Sequence, residues 1–200
     1  MTKQLIDQRV ILDKALELAL DSSWQSFTLL QLASSLNCSM NDIRVNFRSK
    51  DDIAESLFGL ADQAMLELTA QQCYLSLTSD ERLFESIMCW FERLVPYKRL
   101  VREILAYKLE PGHFHLQAHG ITRISRTVQW FLESAAREHT GLCKIADEVA
   151  VTSAYLASFS YFLLDYSENH EGTRALLKRL IRNITKAQRC VTGLTNKQRY

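Results

Sequence analysis

The chain has 200 residues, 47% apolar and 24% charged, with a formal net charge of +1, which suits a globular protein with a full core. Two prolines and six glycines are too few for the turns of a strand-rich protein of this size, so long helices are expected. No run of about 18 uncharged apolar residues offers a membrane span, and the N-terminus lacks the apolar core of a signal peptide, so the expected location is cytoplasmic.

The first helix is predicted from Asp7 to Leu20, where Ile11, Ala15, Leu18 and Ala19 fall on one face. Asp21-Ser22-Ser23 breaks it. Three helix starts follow within a short span, each a hydroxyl with a carboxylate or amide three residues on: Thr28 with Gln31, Ser39 with Asp42, and Ser49 with Asp52. The apolar positions behind them (Leu32, Ala33 and Leu36; Ile43 and Phe47; Ile53, Leu57, Leu60 and Ala64) have helical spacing. Together they predict a compact trihelical unit running into a longer fourth helix. Beyond Gln72 the predicted helices lengthen: Asp80–Leu94, ended by Pro96; Tyr97–Leu109, ended by Pro111-Gly112; Ile121–His139, ended by Thr140-Gly141; Lys144–Tyr166; and Glu171 to about Val191.

The fold class expected is therefore all-α. A three-helix helix-turn-helix domain, residues 1–54, precedes a larger helical domain, residues 55–200, with about nine helices in all.

A helix-turn-helix reads DNA by laying the start of its second helix in the major groove, with small or polar side chains facing base edges. Ser39, Met40, Asn41 and Arg44 occupy that position, and Ile43 and Phe47 point inward. Asn41 has the donor and acceptor to pair bidentately with adenine, and Arg44 suits guanine or a phosphate. Thr28 and Lys50 open the flanking helices, where a hydroxyl, free backbone N–H groups and an ammonium can hold phosphate oxygens. Charge does not single out this region: residues 1–50 carry six basic and five acidic side chains, and Asp42 would face an anionic duplex.

The stretch Thr28 to Ile53, T-L-L-Q-L-A-S-S-L-N-C-S-M-N-D-I-R-V-N-F-R-S-K-D-D-I, resembles the TetR family of transcriptional regulators. The matching elements are Thr28, Leu32-Ala33, the Asn37-Cys38-Ser39 turn, Ile43, Phe47 and Ser49-Lys50-Asp51-Asp52-Ile53, and Ile11–Leu20 resembles the family's first helix. Arg44 stands where the family mostly has Tyr, and Asn37 where it has Gly; Asn tolerates the left-handed backbone that the turn needs. The resemblance implies a cytoplasmic homodimer on a palindromic double-stranded operator, most often a repressor, released by a small and mostly apolar effector. It gives Thr28 and Lys50 the role of phosphate clamps. An alternative stays open, because lipid-binding helper proteins of ubiquinone biosynthesis share this fold without binding DNA. Trp24, Gln25 and Leu164-Asp165-Tyr166-Ser167 are similar to theirs.

For an effector pocket the sequence offers Trp90, Phe91, Tyr107, Phe114, Trp130, Phe131 and Tyr155, at spacings that also suit a core. The helix Lys144–Tyr166 is apolar nearly all round and must be covered on two sides. Phe159 and Phe162, with Leu177, Ile181 and Ile184 of the last helix, are expected at a dimer interface across a two-fold axis. The cationic run from Lys178 to Arg189 reads as a solvated face. His113, His115 and His119 lack the companions of a metal site, the five cysteines have no zinc spacing, and no cofactor is expected. Without a phosphate-binding glycine loop, a nucleophile elbow or an H-E-x-x-H motif, an enzyme is not expected either.

Overall fold

A computed structural model describes residues 6–110, 114–137 and 141–197, with the side chains of 114–119 and 190–197 excepted. His113, His115 and His119, together with Phe114 and Val191, lie outside the described side chains. Among the described residues every regular element is helical: α1 Gln8–Asp21, α2 Leu29–Ser35, α3 Met40–Asn46, α4 Lys50–Leu68, α5 Gln72–Leu75, α6 Ser79–Leu94, α7 Lys98–Leu109, α8 Phe114–Ser134, α9 Gly141–Phe162 and α10 Glu171–Lys197. The chain forms two compact units, one of Met1–Ala61 with Leu94–Gly120, the other of Asp62–Arg93 with Ile121–Tyr200. No described helix is long and apolar enough to cross a membrane.

In the first unit the apolar stripe of α1 (Ile11, Leu12, Ala15, Leu16, Ala19) is buried, as are Trp24, Phe27, Leu32, Ala33, Ile43, Phe47, Ile53 and Leu57. Helix α7 belongs to this unit, and polar contacts fasten it. Lys108, its side chain 9% exposed, bonds Asp51 at 2.6 Å and Glu55 at 2.7 Å on α4. Burial works against the Lys108 charge, but the two carboxylates outweigh it and leave its pKa raised. Glu103 accepts from the Trp24 backbone N–H at 2.7 Å, and Arg99 donates to the carbonyls of Leu20 and Ser22 at the end of α1. These supply partners for backbone groups that a helix end leaves open.

The second unit is centred on α6, α8 and α9. Helix α8 ends at Ser134, earlier than the Thr140-Gly141 break predicts. Ala136 takes the left-handed conformation (φ 50°), and the N–H of Arg137 closes the turn on the Leu132 carbonyl at 3.1 Å. The early stop turns Arg137 inward to the Asp147 carboxylate, a distant pairing that no local signal announces. Helix α9 likewise ends at Phe162 rather than Tyr166, because Asp165 is taken up by the start of α10. Asp165 accepts Thr173 N–H at 2.8 Å and Thr173 Oγ1 at 2.6 Å on one oxygen, and Ser167 N–H at 2.9 Å on the other. Burial alone would raise its pKa, but these donors hold the carboxyl well below the usual carboxylate range.

A depressed folded-state pKa contributes stability above the unfolded value of about 3.9, and that contribution is lost as the pH falls through the folded value. Asp165→Asn is therefore expected to cost about 2 kcal/mol at pH 7, the scale of a charge-assisted hydrogen bond. Urea unfolding of the two proteins as a function of pH checks this: the difference should shrink as the pH drops below about 4.

Candidate nucleic-acid interface

Helices α2 and α3 are built by reciprocal caps. Thr28 Oγ1 accepts Gln31 N–H at 3.2 Å while Gln31 Oε1 accepts Thr28 N–H at 2.9 Å. Ser39 Oγ accepts Asp42 N–H at 3.3 Å, and Asp42 Oδ2 takes Ser39 N–H at 3.0 Å and the Ser39 hydroxyl at 2.6 Å. Between the helices Asn37 sits at φ 50°, and Cys38 N–H reaches back to the Ala33 carbonyl at 3.0 Å. Asn thus fills the left-handed corner with its small penalty. Ile43 and Phe47 are buried and anchor α3. Its opposite face presents Met40, Asn41, Arg44 and Val45, with Arg48 just beyond, all exposed. Thr28 and Ser39 are exposed as well.

The even charge count of this region conceals an uneven arrangement. Asp42 caps α3, Asp52 accepts the N–H groups of Arg48 at 2.7 Å and Ser49 at 3.2 Å, and Asp51 and Glu55 face Lys108. The guanidinium groups of Arg44 and Arg48 have no partner among the described residues. The carboxylates near α3 are engaged, and the cations on its outer face are available. Asp42 therefore acts as a cap.

Lys50 departs from expectation. The sequence predicts an exposed ammonium, whereas the structure half-buries it and directs it at the connection between α1 and α2. Its Nζ donates to the carbonyls of Trp24 at 2.5 Å and Phe27 at 2.7 Å, and it lies 5.1 Å from the Trp24 ring centroid. Burial lowers its pKa from the ordinary lysine value. A cation at the first residue of α4 opposes the helix dipole, and these carbonyls offset that cost. Lys50 is placed to hold the frame of the helix-turn-helix.

The aromatic residues proposed for an effector separate into three environments. Trp90, Phe91, Phe131 and Tyr155 join Phe159 and Phe162 in one packed cluster, with Trp90 edge-on to Tyr155 at 5.5 Å and Phe91 stacked on Phe162 at 5.1 Å. Trp130 points outward, 44% exposed, into a cleft of about 790 Å³ with Arg126, Lys144 and Glu148. Tyr107 is half-buried on α7 in the first unit. Beside the cluster Asp62 accepts from Trp90 Nε1 at 2.8 Å, Arg123 Nη2 at 2.6 Å and Thr127 Oγ1 at 3.2 Å. Burial, aided by Asp62, pushes the Tyr155 phenol up. Sequence separation hid this polar corner: Asp62 and Arg123 lie on helices far apart in the chain.

The residues expected at a dimer interface also turn out differently. Phe159, Phe162, Leu177 and Ile181 are buried within the unit, and Ile184 is half-buried. An apolar helix covered on two sides gives no sign in sequence of which side is the chain's own core. The face of α9 left outward carries Leu142, Ile145, Val149 and Leu156, and α10 leaves Leu176 and Leu180 half-buried. Among the described residues no cluster of His, Cys, Asp or Glu suits a metal ion.

The first of the two helical units thus holds a capped helix-turn-helix with exposed polar side chains on its second helix, the make-up of a regulator-type architecture. The chain is similar to a TetR transcriptional regulator from Nitrosomonas europaea, at 35% identity and a TM-score of 0.79, covering 89% of this chain and 97% of that one. It belongs to the TetR family of transcriptional regulators. The transcriptional regulator FadR from Bacillus subtilis, solved in complex with stearoyl-CoA, shares the fold at 13% identity and a TM-score of 0.52, covering 88% of this chain and 98% of that one. No family model matches the chain, and no curated protein does.

Proposed function

We propose that this protein is a DNA-binding repressor, a homodimer that sets α3 of each subunit into the major groove of a palindromic operator and leaves it when a small, mostly apolar effector binds. The carrying observation is the outer face of α3, where Asn41, Arg44 and Arg48 are exposed, both guanidiniums have no partner among the described residues, and Asp42 is engaged as a cap. Asn41 and Arg44 read bases, while Arg48 and the N-termini at Thr28 and Ser39 meet phosphates. Two half-sites require a dimer, for which the outward Leu142, Ile145, Val149 and Leu156 of α9, with the half-buried Leu176 and Leu180 of α10, offer apolar side chains. Residues 1–54 then serve DNA and 55–200 serve effector and partner. Trp90, Phe91, Phe131 and Tyr155 are packed against one another, so an apolar effector enters there by displacing this aromatic core, beside the polar Asp62–Arg123 corner.

Arg44 tests the reading. Arg44→Ala should weaken binding to an operator duplex by about 1–3 kcal/mol while leaving the melting temperature unchanged, because the side chain is exposed and holds nothing in the fold. Anisotropy of a labelled duplex measures the first and circular dichroism the second. An unaltered affinity would remove α3 from the interface.

A further inference from the structure

The polar residues of α3 account for hydrogen-bonded base reading and leave Val45 unexplained. Val45 is 63% exposed, one residue beyond Arg44 and one turn beyond Asn41. The inward side of the helix is already filled by Ile43 and Phe47, both buried, and by half-buried Asn46, whose amide donates to the Asp42 carbonyl at 3.2 Å. Val45 therefore contributes nothing to the core. A β-branched residue is also a poor choice for an exposed position in a helix of two turns, where Ala, Lys or Glu would favour the helix. Its one advantage is stiffness. In a helix valine keeps essentially one rotamer, so its two methyl groups are held in a fixed place without further loss of freedom.

In the major groove the apolar feature that distinguishes one base from the others is the 5-methyl group of thymine. We propose that Val45 is a specificity-determining residue that reads a thymine methyl in each half-site, flanked by the bases that Asn41 and Arg44 contact. The assignment rests on the DNA-binding reading above. It makes a distinct demand: the contact is apolar, so it selects sequence without adding to the counterion release that phosphate contacts produce.

The test begins with full-length protein and a pool of duplexes carrying randomised symmetric half-sites, from which the bound sequence is selected. Each thymine of the selected duplex is then replaced by deoxyuridine, which removes only the methyl. At one symmetric position the native protein should lose about fourfold per methyl, and roughly tenfold or more for the pair. Val45→Ala should bind the thymine duplex weakly by a similar factor, be indifferent to deoxyuridine at that position, and keep the native salt dependence. Val45→Thr retains one methyl and should keep part of the preference; it serves in place of Val45→Ala if that variant binds no duplex. The assignment is overturned if the valine-substituted proteins discriminate thymine from deoxyuridine at every position as the native protein does, or if the selected half-site contains no methyl-sensitive thymine. A native protein that retains no duplex from the pool overturns the DNA-binding reading itself, and that outcome is recognised before any variant is made.

Discussion

An Arg137→Ala variant is expected to lose about 3–5 kcal/mol of stability, the cost of stranding a buried charge. Arg137 is 3% exposed and its partner Asp147 is 2% exposed. Its Nε and Nη2 bond the two Asp147 oxygens, both at 2.9 Å, in a bidentate pair. Nη1 reaches Asp80 on α6 at 2.8 Å, and Nη2 is shared with Gln188 on α10 at 3.0 Å. Thr185 Oγ1 donates to the second Asp80 oxygen at 2.7 Å, so one guanidinium ties together α6, α9 and α10. Burial disfavours the Arg137 charge, but Asp147 and Asp80 more than restore it and its pKa is raised. Without the guanidinium, Asp147 keeps a charge in the interior and loses its bidentate partner. For a chain of this length the melting temperature should fall by roughly 10 °C. The paired change Arg137→Met with Asp147→Leu should recover most of the loss, since it removes both charges together. A drop below about 1 kcal/mol for the single variant would show that water reaches this network.

Lys50→Met should cost about 2–4 kcal/mol, because two carbonyls in the α1–α2 connection lose charge-assisted bonds while the apolar stem is kept. The consequence extends to DNA. Trp24 and Phe27 immediately precede the Thr28 cap, so loosening them frees the start of α2, and operator affinity should fall along with stability. A phosphate contact and a framework contact predict different salt behaviour. Loss of a phosphate contact lowers the slope of log affinity against log salt by about one, whereas loss of a framework contact leaves the slope as it was. The geometry at Lys50 predicts an unchanged slope, measured by anisotropy under conditions where the variant is still folded. A slope reduced by about one would return Lys50 to the phosphate backbone.

The helix-turn-helix was legible in sequence because its determinants are local. Each cap joins residues three apart, and Ile43 and Phe47 lie one turn from each other, so the code is complete within a short window. The family pattern could be read from the same residues. What escaped notice is set by distance along the chain. Lys50 finds carbonyls more than 20 residues away, and its neighbourhood looks like an ordinary exposed helix start. Arg137 lies beyond an Ala in a left-handed turn, a conformation that sequence associates with Gly or Asn. On α9 the apolar residues run round the whole helix, so periodicity could not separate Phe159 and Phe162, which face the core, from Ile145 and Val149, which face out. The balance of charge around α3 misled for a related reason: a count weighs Asp42 and Arg44 equally, and only the hydrogen bonds separate the engaged carboxylate from the available guanidinium.

The grip of α3 on duplex DNA is tested most directly by the salt dependence of duplex binding. Fluorescence anisotropy of the full-length protein with a labelled duplex from upstream of its own gene should show tight binding at about 50 mM salt. Affinity should fall by at least a hundredfold toward 200 mM, as expected for a dimer that neutralises several phosphates in each half-site. Absence of binding at low salt, or an affinity indifferent to salt, would contradict it.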